Sequence, residues 1–241
     1  MPTVQLFATC LGDLVLPEAV ADTETILREA GFEVVFPRGQ ICCGQPAFNA
    51  GHRSAARRVA RTFVRAFSRE APVVIPSGSC ATMAARFLPE LVGCEPFDVL
   101  ELSAFLDAHG VQPRRCNEGR RLAYHDSCHM LRELRIADPP RRLLERSGAE
   151  LVPLRRPDLC CGFGGTFSVR QPEVSVAMAD DKLGGAAAAG AEALVTADPG
   201  CLMHLRGRAA VVGGTVPVVH LATALASGAD PGASSSGGRN A

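Results

Sequence analysis

The chain has no tryptophan and one tyrosine in 241 residues, and aromatic residues make up only 5% of it. Hydrophobic residues reach 47%, so a core can be buried, but it must be built mainly from Ala, Val and Leu. An excess of charge of either sign is also missing. The 25 Lys and Arg balance the 25 Asp and Glu, which removes any global attraction to nucleic acid. No stretch approaches the roughly 18 apolar residues of a membrane-spanning helix. Residues Met1 to Phe7 lack a basic segment followed by a long apolar one, so no secretory leader is read and a cytoplasmic location is expected. Nucleotide-binding loops are absent as well. There is no Walker A sequence, and in Gly162-Phe163-Gly164-Gly165-Thr166-Phe167 the third glycine of a dinucleotide fingerprint is replaced by Phe167.

What the chain does have is ten cysteines. In a reducing compartment they argue for ligation or redox chemistry rather than a disulfide framework. Eight of them form two quartets: Cys10, Cys42, Cys43 and Cys80, then Cys128, Cys160, Cys161 and Cys201. The first three of each set are offset by the same 118 positions. Each adjacent pair is followed by a glycine, as Cys42-Cys43-Gly44 and Cys160-Cys161-Gly162, which lets the backbone turn sharply. The flanks repeat too. Gly31-Phe32-Glu33-Val34-Val35 parallels Gly148-Ala149-Glu150-Leu151-Val152, and Pro76-Ser77-Gly78-Ser79-Cys80 parallels Ala197-Asp198-Pro199-Gly200-Cys201. The reading is a duplicated chain: one domain over residues 1–112, a second over 119–227, and a Gly/Ser-rich tail over 228–241 with too little apolar content to order itself.

Short apolar runs predict strands over 3–9, 33–36, 73–75, 121–125, 150–152, 193–196 and 216–219. Helical patterns separate them. Residues 51–70 carry Arg53, Arg57, Arg61, Arg65 and Arg69 at four-residue spacing, a stripe that is either a solvated face or a docking surface for an acidic partner. Residues 100–109 read as a helix closing the first half, and 129–147 as helical segments broken at Pro139-Pro140. The alternation predicts an α/β fold of two Rossmann-like domains with parallel sheets facing each other, and places the motif cysteines in loops after strands, where such sheets bind ligands.

Four thiolates suit an iron–sulfur cluster and also a structural zinc, although the Cys-x-x-Cys knuckles of familiar zinc sites are absent. The bland alternative is buried thiols packing as small hydrophobes, and that is the reading for Cys94 and Cys116, outside both quartets. Cys80 and Cys201 are expected to open helices, where the dipole favours thiolate. His125, Asp126 and His129 flank Cys128 and can relay protons or hydrogen-bond cluster sulfur, or serve as ordinary capping and strand-end residues. His52, His109 and His220 have no partner motif and are expected in loops or at helix ends.

These segments resemble the cysteine-rich CCG domain found in heterodisulfide reductase and in the glycolate oxidase iron–sulfur subunit, and more closely the lactate-utilization protein A family. The resemblance rests on Cys42 to Asn49, Pro76 to Cys80, His125 to His129, Cys160 to Ser168 and Asp198 to Met203, and it spans nearly the whole chain up to the tail. It implies an iron–sulfur oxidoreductase subunit carrying one or two clusters of the [4Fe-4S] kind. That subunit would work beside other iron–sulfur subunits of a cytoplasmic complex that oxidises L-lactate to pyruvate. Rival readings are a zinc-organised scaffold and a thiol–disulfide enzyme like heterodisulfide reductase. The wider pattern ends each half with Cys-x-x-Cys; here the last positions are Met83 and His204. A five-thiolate site is therefore not expected. His204 can offer an imidazole, which makes the second half the preferred cluster site.

Overall fold

A computed structural model describes residues 1–214 and 216–229. It contains two four-stranded sheets, each parallel throughout, with the same strand order. In the first, β1 (Thr3–Leu6) and β3 (Val73–Ile75) are central, with β2 (Glu33–Val35) and β4 (Val99–Glu101) at the edges, giving the order β2-β1-β3-β4. In the second, β5 (Arg121–His125), β6 (Glu150–Leu151), β7 (Ala193–Thr196) and β8 (Val218–His220) repeat it as β6-β5-β7-β8. The central strands read as continuous apolar runs because both faces are covered: Val73, Val74 and Ile75 are fully buried, as are Ala193, Leu194 and Val195.

The sequence pattern starts a helix at residue 100, but Val99–Glu101 is a strand. Three residues are too few to show a period of two, and only pairing with β3, Val73 to Val99 through Ile75 to Glu101, fixes them as strand. The helix follows directly on the strand, at Leu102–Ala108, two residues after the expected start. A second difference concerns Pro139-Pro140. These prolines do not break a helix but start one, Asp138–Arg146, occupying first-turn positions where no N–H is needed.

The two halves interlock through crossed helix contacts that repeat across the duplication. The Pro17–Glu29 helix of the first half packs on Leu221–Ala226 of the second, and Asp138–Arg146 packs back on Leu102–Ala108. Ile26, Leu27, Phe105 and Leu106 thereby share one core with Leu143, Leu144, Ala222 and Leu225. Arg142 and Arg146 both pair with Asp107 at this seam. Ala229 is buried, and its N–H donates to Asn117 Oδ1 at 2.8 Å. The remainder of the tail, residues 230–241, lies outside the described residues.

Candidate metal centre

At the carboxyl ends of both sheets, four helix starts converge. Cys10 and Cys128 are the first residues of the Cys10–Val15 and Cys128–Arg132 helices; Cys80 and Cys201 sit in the first turns of Gly78–Thr82 and Pro199–Val212. Contacts cross here as well: Gly78–Thr82 packs on Cys128–Arg132, and Cys10–Val15 packs on Pro199–Val212. A Cβ added at Gly78 would lie 2.6 Å from Met130 Cβ, so glycine permits this approach. Between the four starts lies a cleft of about 460 Å³ lined by cysteines of both quartets.

Within each quartet the sulfurs form a continuous chain of contacts. Cys10 Sγ is 3.5 Å from Cys42 Sγ, and Cys43 Sγ is 3.2 Å from Cys80 Sγ. In the second half the free thiols interact electrostatically in the same order, Cys128 with Cys160, Cys160 with Cys161, and Cys161 with Cys201. Cys43, Cys80, Cys161 and Cys201 are buried, and the other four are half-buried. Thiol donation from Cys10, then Cys43, pulls Cys42 down to about 3; donation from Cys128, then Cys161, pulls Cys160 to about 2. The donors Cys10, Cys43, Cys128 and Cys161 are pushed up correspondingly, first by those bonds and then by burial. Each half therefore presents one stabilised thiolate held by neighbouring thiols. Such a donor set fits a thiophilic metal group, which would replace the shared protons.

The Cys-Cys-Gly turns depend on their glycines. Gly44 has φ +89° and Gly162 φ +95°, and their N–H groups donate to Cys42 Sγ and Cys160 Sγ at 3.5 and 3.4 Å. A Cβ on Gly162 would come within 2.5 Å of Ser175 O.

The other site candidates separate clearly. His129 lines the cleft, with Nδ1 3.7 Å from Cys128 Sγ. His125 is fully buried, and neither ring nitrogen has a hydrogen-bond partner among the described residues. Burial, and after it the charge of Lys182, lowers it to about 3, so it is neutral. A donor nitrogen of His125 and the sulfurs of Cys161 and Cys201 all lie within 4.8 Å of one another, close enough to hold one metal ion. Asp126 is turned away into a bidentate pair with Arg141 at 2.8 and 2.7 Å. His204 does not line the cleft: its Nε2 is 3.2 Å from Ser175 Oγ. The imidazole beside the second quartet is thus that of His125. Met83 is buried in the first half's core with Phe63 and Phe97. Cys94 and Cys116 are apart from the cleft, and Cys116 Sγ lies 3.4 Å from Ala224 O. His109 and His220 are at helix ends.

Two residues of the site escaped the sequence reading. Asp198 caps helices in both halves, and its place before Pro-Gly at a helix start is a usable N-cap signal. Lys182 is 1% exposed inside the Pro172–Ala188 helix, and nothing local marks it as buried.

The CCG cysteine-rich domain matches this chain twice, over residues 4–84 and 122–206. Lactate utilization protein A of Geobacillus kaustophilus (strain HTA426) is 42% identical over 234 residues, covering 92% of this chain and 98% of that protein. The protein of the same name from Shouchella clausii (strain KSM-K16) is 41% identical with the same coverage. Among solved structures, a putative Asp/Glu racemase from Yersinia pestis aligns over 95% of this chain and 97% of its own, at 12% identity and a TM-score of 0.35, too low to support an argument.

Proposed function

The chain belongs to the Lactate utilization protein A family, and on that premise we propose that it is an iron–sulfur electron-transfer subunit of a complex oxidising L-lactate to pyruvate. One observation supports this above the rest: two four-cysteine sets, each continuous in space, meet at a single cleft lined by seven of the eight, with Cys42 held just behind it against Cys10. Cys10, Cys42, Cys43 and Cys80 would hold one cluster, and Cys128, Cys160, Cys161 and Cys201 another. An iron–sulfur cluster supplies reversible one-electron transfer, over potentials of about −700 to +450 mV across cluster types.

The chain's own part is to hold, insulate and tune. Cys43, Cys80, Cys161 and Cys201 are withdrawn from solvent, while Cys10, Cys42, Cys128 and Cys160 are half-buried and are the thiols a partner would meet first. The Cys80 and Cys201 N–H groups are tied to Ser77 Oγ and Asp198 Oδ1, which fixes the helix starts that carry those thiols. Lactate oxidation releases two electrons and two protons; further iron–sulfur subunits would supply the substrate site and the acceptor. No helix among the described residues is long and apolar enough to cross a membrane, and we place the complex in the cytoplasm.

Anaerobic purification followed by iron, sulfide and zinc analysis tests the reading. Iron and acid-labile sulfide with an EPR signal in one redox state are expected. Stoichiometric zinc without sulfide would replace it with a scaffold organised by zinc, for which His125, Cys161 and Cys201 are the natural ligands.

A further inference from the structure

The duplication is broken at one place beneath the cysteines. Phe7 and His125 stand three residues before Cys10 and Cys128, at corresponding positions after β1 and at the end of β5. The glycines of the two Cys-Cys-Gly turns fix a second correspondence. Gly44 faces Ala56 and Val59 of the Arg53–Ala66 helix, and Gly162 faces Ser175 and Met178 of the Pro172–Ala188 helix. Counting along the two helices from these contacts sets Phe63 opposite Lys182. In the first half Phe7 and Phe63 meet edge to face, with ring centroids 5.3 Å apart, in an apolar cluster that includes Cys43 and Cys80. In the second half the same two places hold a histidine and a lysine, and both are buried.

Lys182 is not a displaced surface charge. Its Nζ donates to Arg156 O at 2.8 Å and Pro157 O at 3.3 Å, which anchors the loop leading into Cys160 and fixes the charge beneath the site. Among the described residues no carboxylate forms an ion pair with it; the acidic groups whose charge reaches it are Asp181, Asp126 and Asp158, and Asp126 is already paired with Arg141. The field of Lys182 reaches Cys161 and Cys201 as well as His125. A buried cation with little compensation favours added negative charge nearby, because the interior screens it weakly. The nitrogens of His125 make no hydrogen bond of ordinary geometry among the described residues, with the Pro157 carbonyl the one backbone acceptor near them and already taken by Lys182, so an N–H there can turn toward a cluster sulfur. Phe7 and Phe63 offer neither a charge nor a donor.

Resting on the iron–sulfur reading, we propose that Lys182, supported by His125, makes the second quartet the electron-collecting end of the chain, with a higher reduction potential than the first. One electron leaving the first site reduces the second, and the direction is set by the exchange of Phe7 and Phe63 for His125 and Lys182. Lys182 acts through its field and is a positioning residue; it touches no reacting atom.

The test is spectroelectrochemical titration of the anaerobically prepared protein, with each midpoint assigned by Cys42→Ser and Cys160→Ser. The higher midpoint is expected to belong to the second quartet. Lys182→Met keeps the length of the side chain and removes the charge. It should lower that midpoint by about tenfold in the one-electron equilibrium, or about 59 mV, and leave the other unmoved. Phe63→Met, the matching change in the first half, should shift neither. His125→Phe, which swaps in the first half's residue and leaves the lysine anchor intact, should lower the same midpoint and covers the case in which Lys182→Met fails to fold. A higher midpoint on the first quartet, or unmoved midpoints in Lys182→Met and His125→Phe, overturns this inference while leaving the iron–sulfur reading standing. Absence of iron and sulfide overturns both.

Discussion

Asp198 accepts the Ser79 N–H across the seam between the halves at 2.8 Å, and the same carboxylate caps its own helix through Gly200 N and Cys201 N at 3.0 and 3.3 Å. One side chain thus holds the starts of both helices that carry the buried Cys80 and Cys201. Asp198→Ala leaves several buried N–H groups without a partner, so a loss of about 2–4 kcal/mol is expected. Ser77→Ala removes a single cap, worth about 1 kcal/mol. Denaturant unfolding measures both, and metal retention should fall in both quartets of the Asp198 variant. Equal stability losses from the two variants would sink the shared-cap account.

The two quartets have matching burial and matching chains of sulfur contacts. Cys42→Ser is therefore expected to remove the metal of the first quartet only, and Cys160→Ser that of the second. Metal analysis of the two variants checks this. If either substitution empties the whole protein, one shared centre occupies the cleft instead.

His204 is engaged with Ser175, whose hydroxyl donates to Gly162 O at 2.8 Å. His204→Ala should leave metal content unchanged. Ser175→Ala should cost about 1 kcal/mol, because Gly162 O loses its donor at the second Cys-Cys-Gly turn. Metal loss in His204→Ala at parental stability would reinstate it as a ligand.

Much of this site was legible because its parts recur. The 118-residue offset, the glycine after each cysteine pair and the apolar strand runs are local signals, and they located the duplication, the parallel sheets and the eight cysteines. Information carried by tertiary contact was not legible. Val99–Glu101 becomes a strand only through its neighbour β3. Nothing in the lone pattern Asp181-Lys182-Leu183 shows that the lysine is buried with backbone carbonyls as its acceptors. The arginine stripe was readable as a stripe but not as a set of different roles. All five are exposed, yet Arg53 lies over the Phe48 ring at 3.6 Å and donates to Phe48 O, Arg57 donates to Leu91 O, and Arg69 lies over the Phe97 ring at 4.1 Å and donates to Glu95 O.

Glu101 and His220 close corresponding edge strands, β4 and β8, and each caps the helix that follows. Both are buried, and they make opposite contributions to the pH dependence of stability. Burial raises Glu101 from 4.5 to about 7, so its full contribution is present below pH 4.5 and is lost as pH rises through 7. Burial lowers His220 from 6.5 to about 4, so its contribution is present above pH 6.5 and is lost as pH falls through 4. Each spans up to about 3 kcal/mol, since one pKa unit is worth about 1.4 kcal/mol. Over the shared window of pH 4.5 to 6.5 the two slopes cancel, and the parent protein should show little change from this pair. Glu101→Gln removes the falling slope while keeping an oxygen for the Ser103 N–H, which Glu101 Oε2 accepts at 2.8 Å. Its stability should then rise more steeply with pH across that window than the parent's, to which buried His125 already lends a rising slope. His220→Asn should shift the slope the other way, rising less with pH than the parent. Urea midpoints at pH 4.5, 5.5 and 6.5 decide the matter, and parallel curves for all three proteins would show that neither group titrates with folding.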